Sequence, residues 1–515
     1  MTEEAKIKIT PWIGLIAIVN VVIHMLFYNT LGFHRDELLY FSLGQHISAG
    51  YASVPPLIGL TAWFVIHTLG YSLLAARLIP FLLSGVMIFV IAAITREMKG
   101  KSYAQILAAI AFTVTPFNLR CFSLFMPVSF DIFFWSLTIL LLLRWYNTKE
   151  DRFMVMLGTV VGLGLMNKYS IALEIFCLFV VLLFTPYRAA LKRRAFYQAV
   201  IIGLLIFSPN IIWQVFYDLP VLTHMKALND SQLVHVDRVA FFTDQFFLGS
   251  MGMLLIIPGI IFLSGSKIMR PYRPFLIVSF LVVIILALLR GKSYYTFGLY
   301  PFWIAAGGVY WEKALKTKLP EVIVPVLLVV LSIPIIPMGI PVFKSTMLVK
   351  YFAWTKEKLG TKMVLRWEDG AYHPLPQDYA DMLGWDELAI ITAHTYEQVP
   401  DKQSTLIYAE NYGQAGAVMV LGKKYGLPDP ACFSESFLYW IPRNPLSEIT
   451  SLIYINDKLG SDVKSIFADC REIGCVSNPL AREFKTGVWL CTAPRSSFND
   501  LWKIRIRQVN NPFYH

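Results

Sequence analysis

The sequence predicts an α-helical polytopic membrane bundle of about eleven spans, with interfacial helices in its first outer loop, followed by a small α/β domain. Three observations carry this. Hydrophobic residues make up 56% of the 515 residues and charged residues only 15%, against about 45–50% and about 25% in an ordinary soluble domain. The excess is blocked, since residues 1–340 hold nearly all of the long apolar runs. Lipid calls for runs of about 20 apolar residues, where a soluble core needs only stripes. The Lys and Arg residues also cluster between the runs.

The expected spans are roughly 11–29, 73–95, 103–119, 128–145, 154–168, 169–186, 196–214, 246–264, 274–290, 295–311 and 320–342. The first reads as a retained span, because no small-residue cleavage site follows it. With the N-terminus in the cytoplasm, alternate loops hold Arg96, Lys99 and Lys101; Lys149 and Arg152; Arg188 and Lys192 to Arg194; Lys267, Arg270 and Arg273; and Lys313, Lys316 and Lys318. Every basic cluster then lies inside, as the positive-inside rule requires. The formal net charge of +11 is thereby assigned to membrane topology, and nucleic acid is not an expected partner.

An odd number of spans places residues 345–515 outside, after a transmembrane domain at 1–344. In this tail Ser404–Glu410, Leu452–Ile455 and Val488–Cys491 read as strands, and Asp378–Ala393 as an amphipathic helix. Cys432, Cys470, Cys475 and Cys491 match no zinc spacing; one or two disulfides are open to them, with pairing undetermined.

Charges that break the topology rule gather at the outer edge. Asp36 and Glu37 follow the first span and open an apolar segment that suits a helix on the membrane surface. Acids in a first turn suit a helix N-terminus; a general base or metal ligand at the bilayer edge is the functional alternative. Pro55 and Pro56 break that segment and start a second short apolar one, 57–70. Arg77 either snorkels to headgroups or holds a phosphate. Asp131 opens the fourth span as a cap or as a functional carboxylate. Lys168, Arg290 and Lys292 oppose the positive-inside bias, and Glu174 lies near the same edge. Carboxylates beside cations at a lipid edge suit a transfer in which Lys and Arg clamp an anionic lipid-linked donor and a carboxylate deprotonates the acceptor. A flippase or transporter of an anionic lipid-linked sugar is the rival reading. It would place such groups nearer the midplane, where only His24 and His67 stand as candidates.

These residues resemble a known family. Asp36-Glu37 with Tyr40, Gly50-Tyr51, Pro55-Pro56-Leu57, Gly70 and Arg77-Leu78 are similar to the first outer loop of the family 39-type glycosyltransferases, which include protein O-mannosyltransferases and lipid A aminoarabinose transferases. Gly162-Leu163-Gly164-Leu165 with Lys168-Tyr169, Pro209-Asn210 with Trp213-Gln214, and Lys292 with Tyr294-Tyr295 and Pro301 extend the likeness. In the tail it continues through Gln377-Asp378-Tyr379-Ala380-Asp381-Met382-Leu383-Gly384-Trp385, Asn411-Tyr412-Gly413 and Ala415-Gly416-Ala417.

The resemblance implies a GT-C fold membrane glycosyltransferase of the bacterial inner membrane, with a periplasmic tail. It implies an inverting enzyme that takes a polyprenyl-phosphate sugar and acts on a lipid, glycan or protein acceptor outside the membrane. Asp36 is then the expected base, with Glu37 its partner and Asp131 a second acidic site. Arg77, Lys168 and Lys292 would meet the donor phosphate, and Tyr40, Pro55, Pro56, Tyr169, Tyr294 and Tyr295 would line the substrate cavity. A divalent metal is an open expectation, with Asp36, Glu37 and Asp131 as its ligands. The chain departs from the family at Ser53-Val54, where many relatives carry an acid before the proline pair, and at Gln414, where many carry Glu.

Overall fold

A computed structural model describes residues 8–231, 237–443 and 447–508. The first seven residues of the expected bundle and the last seven of the expected tail lie outside this range. The first helices are α1 (Trp12–Leu26), α2 (Arg35–Leu43), α3 (Leu57–Leu69), α4 (Leu73–Glu97), α5 (Ser102–Val114), α6 (Pro116–Cys121), α7 (Pro127–Thr148) and α8 (Asp151–Asn167). Then come α9 (Ile171–Leu183), α10 (Arg194–Phe216), α11 (Pro220–Ser231), α12 (Arg238–Gly249), α13 (Met253–Gly265), α14 (Arg273–Leu288), α15 (Tyr300–Ala314), α16 (Lys318–Ser332) and α17 (Ile336–Gly339).

Each of the eleven expected spans holds helix. Six helical runs among the described residues are long and apolar enough to cross a membrane: Leu73–Glu97, Pro127–Thr148, Arg194–Phe216, Arg238–Gly265, Arg270–Leu288 and Lys318–Gly339. The protein is therefore an integral membrane protein. The other expected spans are shorter, such as the 13 residues of α5 and of α9, and the stretch at 169–186 is separate from α8, as the topology argument required. Leucine- and isoleucine-rich faces of α10 and α16 point outward, as a lipid-facing surface should.

Five loops meet at one end of the bundle. Glu97 pairs with Arg96 at 2.8 Å and Arg144 at 3.4 Å, and its carbonyl accepts from Asn147 and Tyr272. Glu312 accepts from the amides of Lys101 and Ala104, Arg193 reaches Asp151 at 3.7 Å, and Tyr187 donates to the Pro271 carbonyl. These are the loops that carry the basic clusters, so they share one face in space as they do by alternation.

The tail begins with α18 (Ser345–Lys358), followed by α19 (Gln377–Ala380), α20 (Trp385–Glu397), β1 (Thr405–Ala409), α21 (Tyr412–Leu421), β2 (Ser451–Asn456), α22 (Ser461–Ile466), β3 (Phe467–Cys475), β4 (Gly487–Pro494) and α23 (Phe498–Gln508). The sheet order is β1-β2-β4-β3, with β1 and β2 parallel and the other pairs antiparallel. The three expected strands are present, and β3 is an additional one. Its residues after Phe467 are exposed or half-buried, and Asp469, Arg471 and Glu472 along it hide the apolar alternation that marks the others. The expected helix over 378–393 is two helices, because Gly384 adopts φ +89 and breaks the chain there. Cys470 and Cys491 are register partners on β3 and β4 and form a disulfide; Cys432 and Cys475 are free.

Side chains alternate across the sheet. Ile407, Ala409, Ile453, Ile455, Val488 and Leu490 join a core that continues into the bundle through Trp385, Leu38 and Leu39. Leu406, Leu452, Trp489 and Cys491 pack on the opposite face with Phe498 and Trp502 of α23. A third cluster joins Leu348 and Phe352 of α18 to Leu31 and Leu124 of the bundle. The apolar core thus runs unbroken across residue 345.

Candidate active site

Helix α2 places the acidic pair. His34 caps it, accepting the Asp36 amide at Nδ1 (3.1 Å), while the Glu37 carboxylate accepts the His34 amide at 2.9 Å. Adjacent acids on a helix point about 100° apart, and here they part company. Glu37 is 0% exposed. It binds Arg77 through Nε at 2.9 Å and Nη2 at 2.6 Å and also accepts the Phe125 amide at 2.9 Å. Arg77, itself buried, gives two further donors to the carbonyls of Tyr28 and Gly32. Burial alone would raise the Glu37 carboxyl; the Arg77 charge and hydrogen bonds, with the two amides, outweigh it and hold the carboxyl below its usual range. The expectations for these two residues are therefore corrected. Glu37 is a buried bracket joining α2, α4 and the segment before α7, and Arg77 commits four of its five N–H donors inside the protein and is itself buried, away from a phosphate.

Asp36 faces the other way. Its Oδ1 accepts the Tyr412 hydroxyl at 2.8 Å, and the Arg35 guanidinium lies 4.2 Å above the Tyr412 ring. Its Oδ2 accepts no hydrogen bond among the described residues. Tyr412 opens α21, which Asn411 caps through the amides of Gly413 and Gln414. The helix lies directly on α2: a Cβ at Gly416 would stand 2.9 Å from the Leu38 Cβ and 3.0 Å from its backbone. The tail thus reaches the acidic pair, and the glycine permits that approach. Glu435 arrives from the tail as well, 3.6 Å from His224 of α11. Burial, then the charges of Asp36, Glu435 and Tyr295, push the Tyr40 phenol well above its ordinary value.

On the bundle side, Lys168 lies 3.4 Å from Asp131. Asp131 also accepts the Ser170 hydroxyl at 2.7 Å and the Trp135 indole at 3.1 Å. The Lys168 ammonium sits 4.6 Å from the centre of the Tyr295 ring and 5.4 Å from that of Tyr294. Lys292 pairs at 3.3 Å with Glu368 of the tail, which Arg482 approaches at 3.9 Å. Tyr169 is bound internally, between Asn210 at 2.9 Å and Gln214 at 2.8 Å. Pro55 and Pro56 are buried in the turn into α3. Glu174 is buried on α9, one turn beyond Ser170, with both oxygens unpartnered among the described residues.

Asp36, Asp131, Lys168, Tyr294, Tyr295, Tyr40 and Lys292 are thus brought to one end of the bundle beneath the tail. Tyr412, Glu435, His224 and Glu368 were not singled out as site residues from sequence. The Asn411-Tyr412-Gly413 motif marked the first; nothing local marked the other three. Trp135 and Ser170 were within reach of sequence reasoning, one a helical turn after Asp131 and the other two residues after Lys168. The expected metal ligands do not converge. Glu37 is saturated by four donors, Asp131 by Lys168, Ser170 and Trp135, and no cluster of three His, Cys, Asp or Glu able to hold an ion occurs among the described residues. This donor set does not fit a divalent metal.

The bundle, its surface helices and the covering α/β domain define a GT-C membrane fold. Residues 53–213, from the loop before the proline pair through α10, match the family model of dolichyl-phosphate-mannose-protein mannosyltransferase. Among solved structures the chain is similar to ArnT from Cupriavidus metallidurans bound to undecaprenyl phosphate, with TM-score 0.61 and 14% identity over 93% of this chain and 98% of that one. The apo state of the same protein gives TM-score 0.58 at 14% identity, covering 93% and 97%. The archaeal oligosaccharyltransferase AglB from Archaeoglobus fulgidus, in complex with an inhibitory peptide and a dolichol-phosphate, gives TM-score 0.50 at 13% identity, covering 86% and 69%. No protein of curated function matches the sequence significantly. The resemblance read from the sequence therefore holds for the fold and for the family pattern over residues 53–213.

Proposed function

We propose that the protein is a membrane glycosyltransferase that moves a sugar from a polyprenyl-phosphate donor to a lipid, glycan or protein acceptor at the periplasmic face of a bacterial inner membrane. One observation carries this: Asp36 stands at the membrane edge with one oxygen fixed by Tyr412 and the other open, on the same face as the Lys168–Asp131 pair and the Tyr294–Tyr295 rings. The family match and the lipid phosphates bound by ArnT and AglB support a lipid-linked donor.

In this reading Asp36 Oδ2 takes the proton of the acceptor hydroxyl. The acceptor oxygen bonds to the anomeric carbon as the bond from that carbon to the phosphate oxygen breaks. The electron pair leaves with the polyprenyl phosphate, and in-line displacement inverts the centre. Lys168, held at the end of α8, meets the departing charge, with Lys292 beside the path. Glu37 and Arg77 act earlier, by fixing the helix that carries Asp36. The positive-inside pattern of the basic loops supports an extracytoplasmic site.

The test is incubation of purified protein in proteoliposomes with labelled undecaprenyl-phosphate sugars. Release of undecaprenyl phosphate with label leaving the donor supports transfer, and Asp36→Asn should abolish it. Intact donor moving between leaflets would establish transport instead and refute the proposal.

A further inference from the structure

A groove separate from the acidic pair opens toward the other end of the bundle. It is a cavity of about 590 Å³ between α9 on one side and α8, α10 and α14 on the other. Apart from Thr185 and Tyr187, every side chain that lines it is apolar. Helices α8 and α10 are in backbone contact where Gly158 meets Ala199, so the opening lies beside that pair and is not a loose joint within it. Phe176, Phe179 and Val200 on its walls are exposed, and the groove therefore opens sideways to the hydrocarbon. Its bulk lies toward the basic loops. Helix α10 lends only positions 196–200 and α14 only 274–278, the first turns after the basic clusters. Leu142, the one contribution of α7, is nearer Lys149 than Asp131. Along α9 the lining runs from Ala172 to Leu182, about 15 Å of helix rise, which is about the hydrocarbon depth of one leaflet.

The mouth on the basic side is cationic. Arg188 directly follows Tyr187, and Arg194 precedes Phe196 by two residues. Their Cα atoms therefore stand within about 8 Å of a lining residue's own. Arg188, Lys192 and Arg194 are exposed and form no ion pair among the described residues. Lys149 is brought to the same end: its ammonium lies 4.0 Å from the centre of the Tyr146 ring, which stacks on Tyr187 at 4.6 Å. Arg193 is committed to Asp151 at 3.7 Å, and Arg273 to the Leu263 and Ser266 carbonyls. Helix α10 begins here with no side-chain cap, and amides of a first helical turn suit a phosphate. A chain-length apolar groove beneath unpaired cations fits an amphiphile with an anionic head, as basic pockets between membrane helices hold anionic phospholipids. The donor's chain is a poorer fit. The Lys168 ammonium faces Asp131, Tyr294 and Tyr295, none of which lines the groove.

We infer that this groove binds an anionic phospholipid of the leaflet that borders the basic loops. One acyl chain lies between α9 and the α8–α10 pair, and the headgroup phosphate meets Arg188, Lys192 and Arg194 at the start of α10. The lipid completes the packing of α9 against the bundle, where protein side chains leave the gap. The site does not depend on the glycosyltransferase reading.

The experiment titrates the purified full chain in detergent with phosphatidylglycerol that carries a photoreactive diazirine at the end of one acyl chain. Native mass spectrometry counts bound lipid, and crosslinked peptides are mapped. Label is expected in residues 172–185 and 196–200. Binding should saturate and be about tenfold or more tighter than that of phosphatidylcholine with the same chains. Arg188→Gln, Lys192→Gln and Arg194→Gln together should weaken phosphatidylglycerol binding about 100-fold, roughly fivefold per charge. Val161→Phe fills the groove and should remove the label while the cations stay. The triple variant changes only exposed side chains, so it decides the matter even where Val161→Phe misfolds. Equal binding of the two phospholipids, or unchanged phosphatidylglycerol binding by the triple variant, overturns the inference. Loss of label from these peptides on adding equimolar undecaprenyl phosphate would give the groove to the donor chain and overturns it as well.

Discussion

Replacing Arg77 by Met separates a structural role from phosphate binding. The guanidinium supplies two charged hydrogen bonds to Glu37, at 2.9 and 2.6 Å, and also binds two backbone carbonyls. Its loss leaves a fully buried carboxylate with only two amide donors, from His34 and Phe125. Breaking a buried pair from one side costs about 3–5 kcal/mol, and each orphaned carbonyl adds about 1–3 kcal/mol. Arg77→Met should therefore melt far below wild type in a thermal scan of detergent-solubilised protein followed by tryptophan fluorescence. Arg77→Met with Glu37→Leu should recover part of the loss, because no uncompensated charge remains. The pH dependence follows the same pair. Glu37 is held below its usual value, so its stabilisation is complete above the ordinary carboxylate range and is lost as pH falls through the lowered value. Arg77→Met should flatten that acid limb. A variant that melts like wild type yet no longer binds undecaprenyl phosphate would refute this assignment and return Arg77 to the donor site.

Asp36→Asn retains the Tyr412 contact and should fold normally, while transfer falls about 10²–10⁴-fold, as loss of a general base requires; steady-state assays on the donor check it. Lys168→Met should raise the apparent Kd for undecaprenyl phosphate about 10–100-fold, the worth of one charged hydrogen bond. Gly416→Ala introduces a methyl 2.9 Å from Leu38 and should cost about 1–3 kcal/mol of stability, with faster proteolysis of the tail as the readout. Thiol alkylation followed by mass spectrometry should label Cys470 and Cys491 only after reduction, whereas Cys475 reacts in the folded protein.

Much of this was legible in the chain because membrane insertion is a one-dimensional constraint. Apolar runs, basic loops and an odd number of spans are properties of consecutive residues, and they placed Asp36, Asp131, Lys168 and Lys292 at one edge before any coordinate. The strands β1, β2 and β4 were equally visible, since their apolar residues are continuous. The acidic pair was harder. Asp36 and Glu37 are chemically alike and adjacent, and only the rotation of α2 against Arg77 and Tyr412 distinguishes the bracket from the base.

The sequence by itself determined the membrane class, the gathering of the unusual charges at one edge and three of the four strands of the tail, because hydropathy and charge act through local runs. Tertiary structure alone decided which charges are spent and which remain open. Arg77 is consumed by Glu37, Lys168 is shared with Asp131, and Asp36 is paired with a tyrosine from the far end of the chain. The disulfide partner of Cys470 and the arrival of Glu435 beside His224 are of the same kind. Ion pairs and hydrogen bonds act over a few ångströms in space, and distance along the chain carries no record of them until the tail has folded onto the bundle.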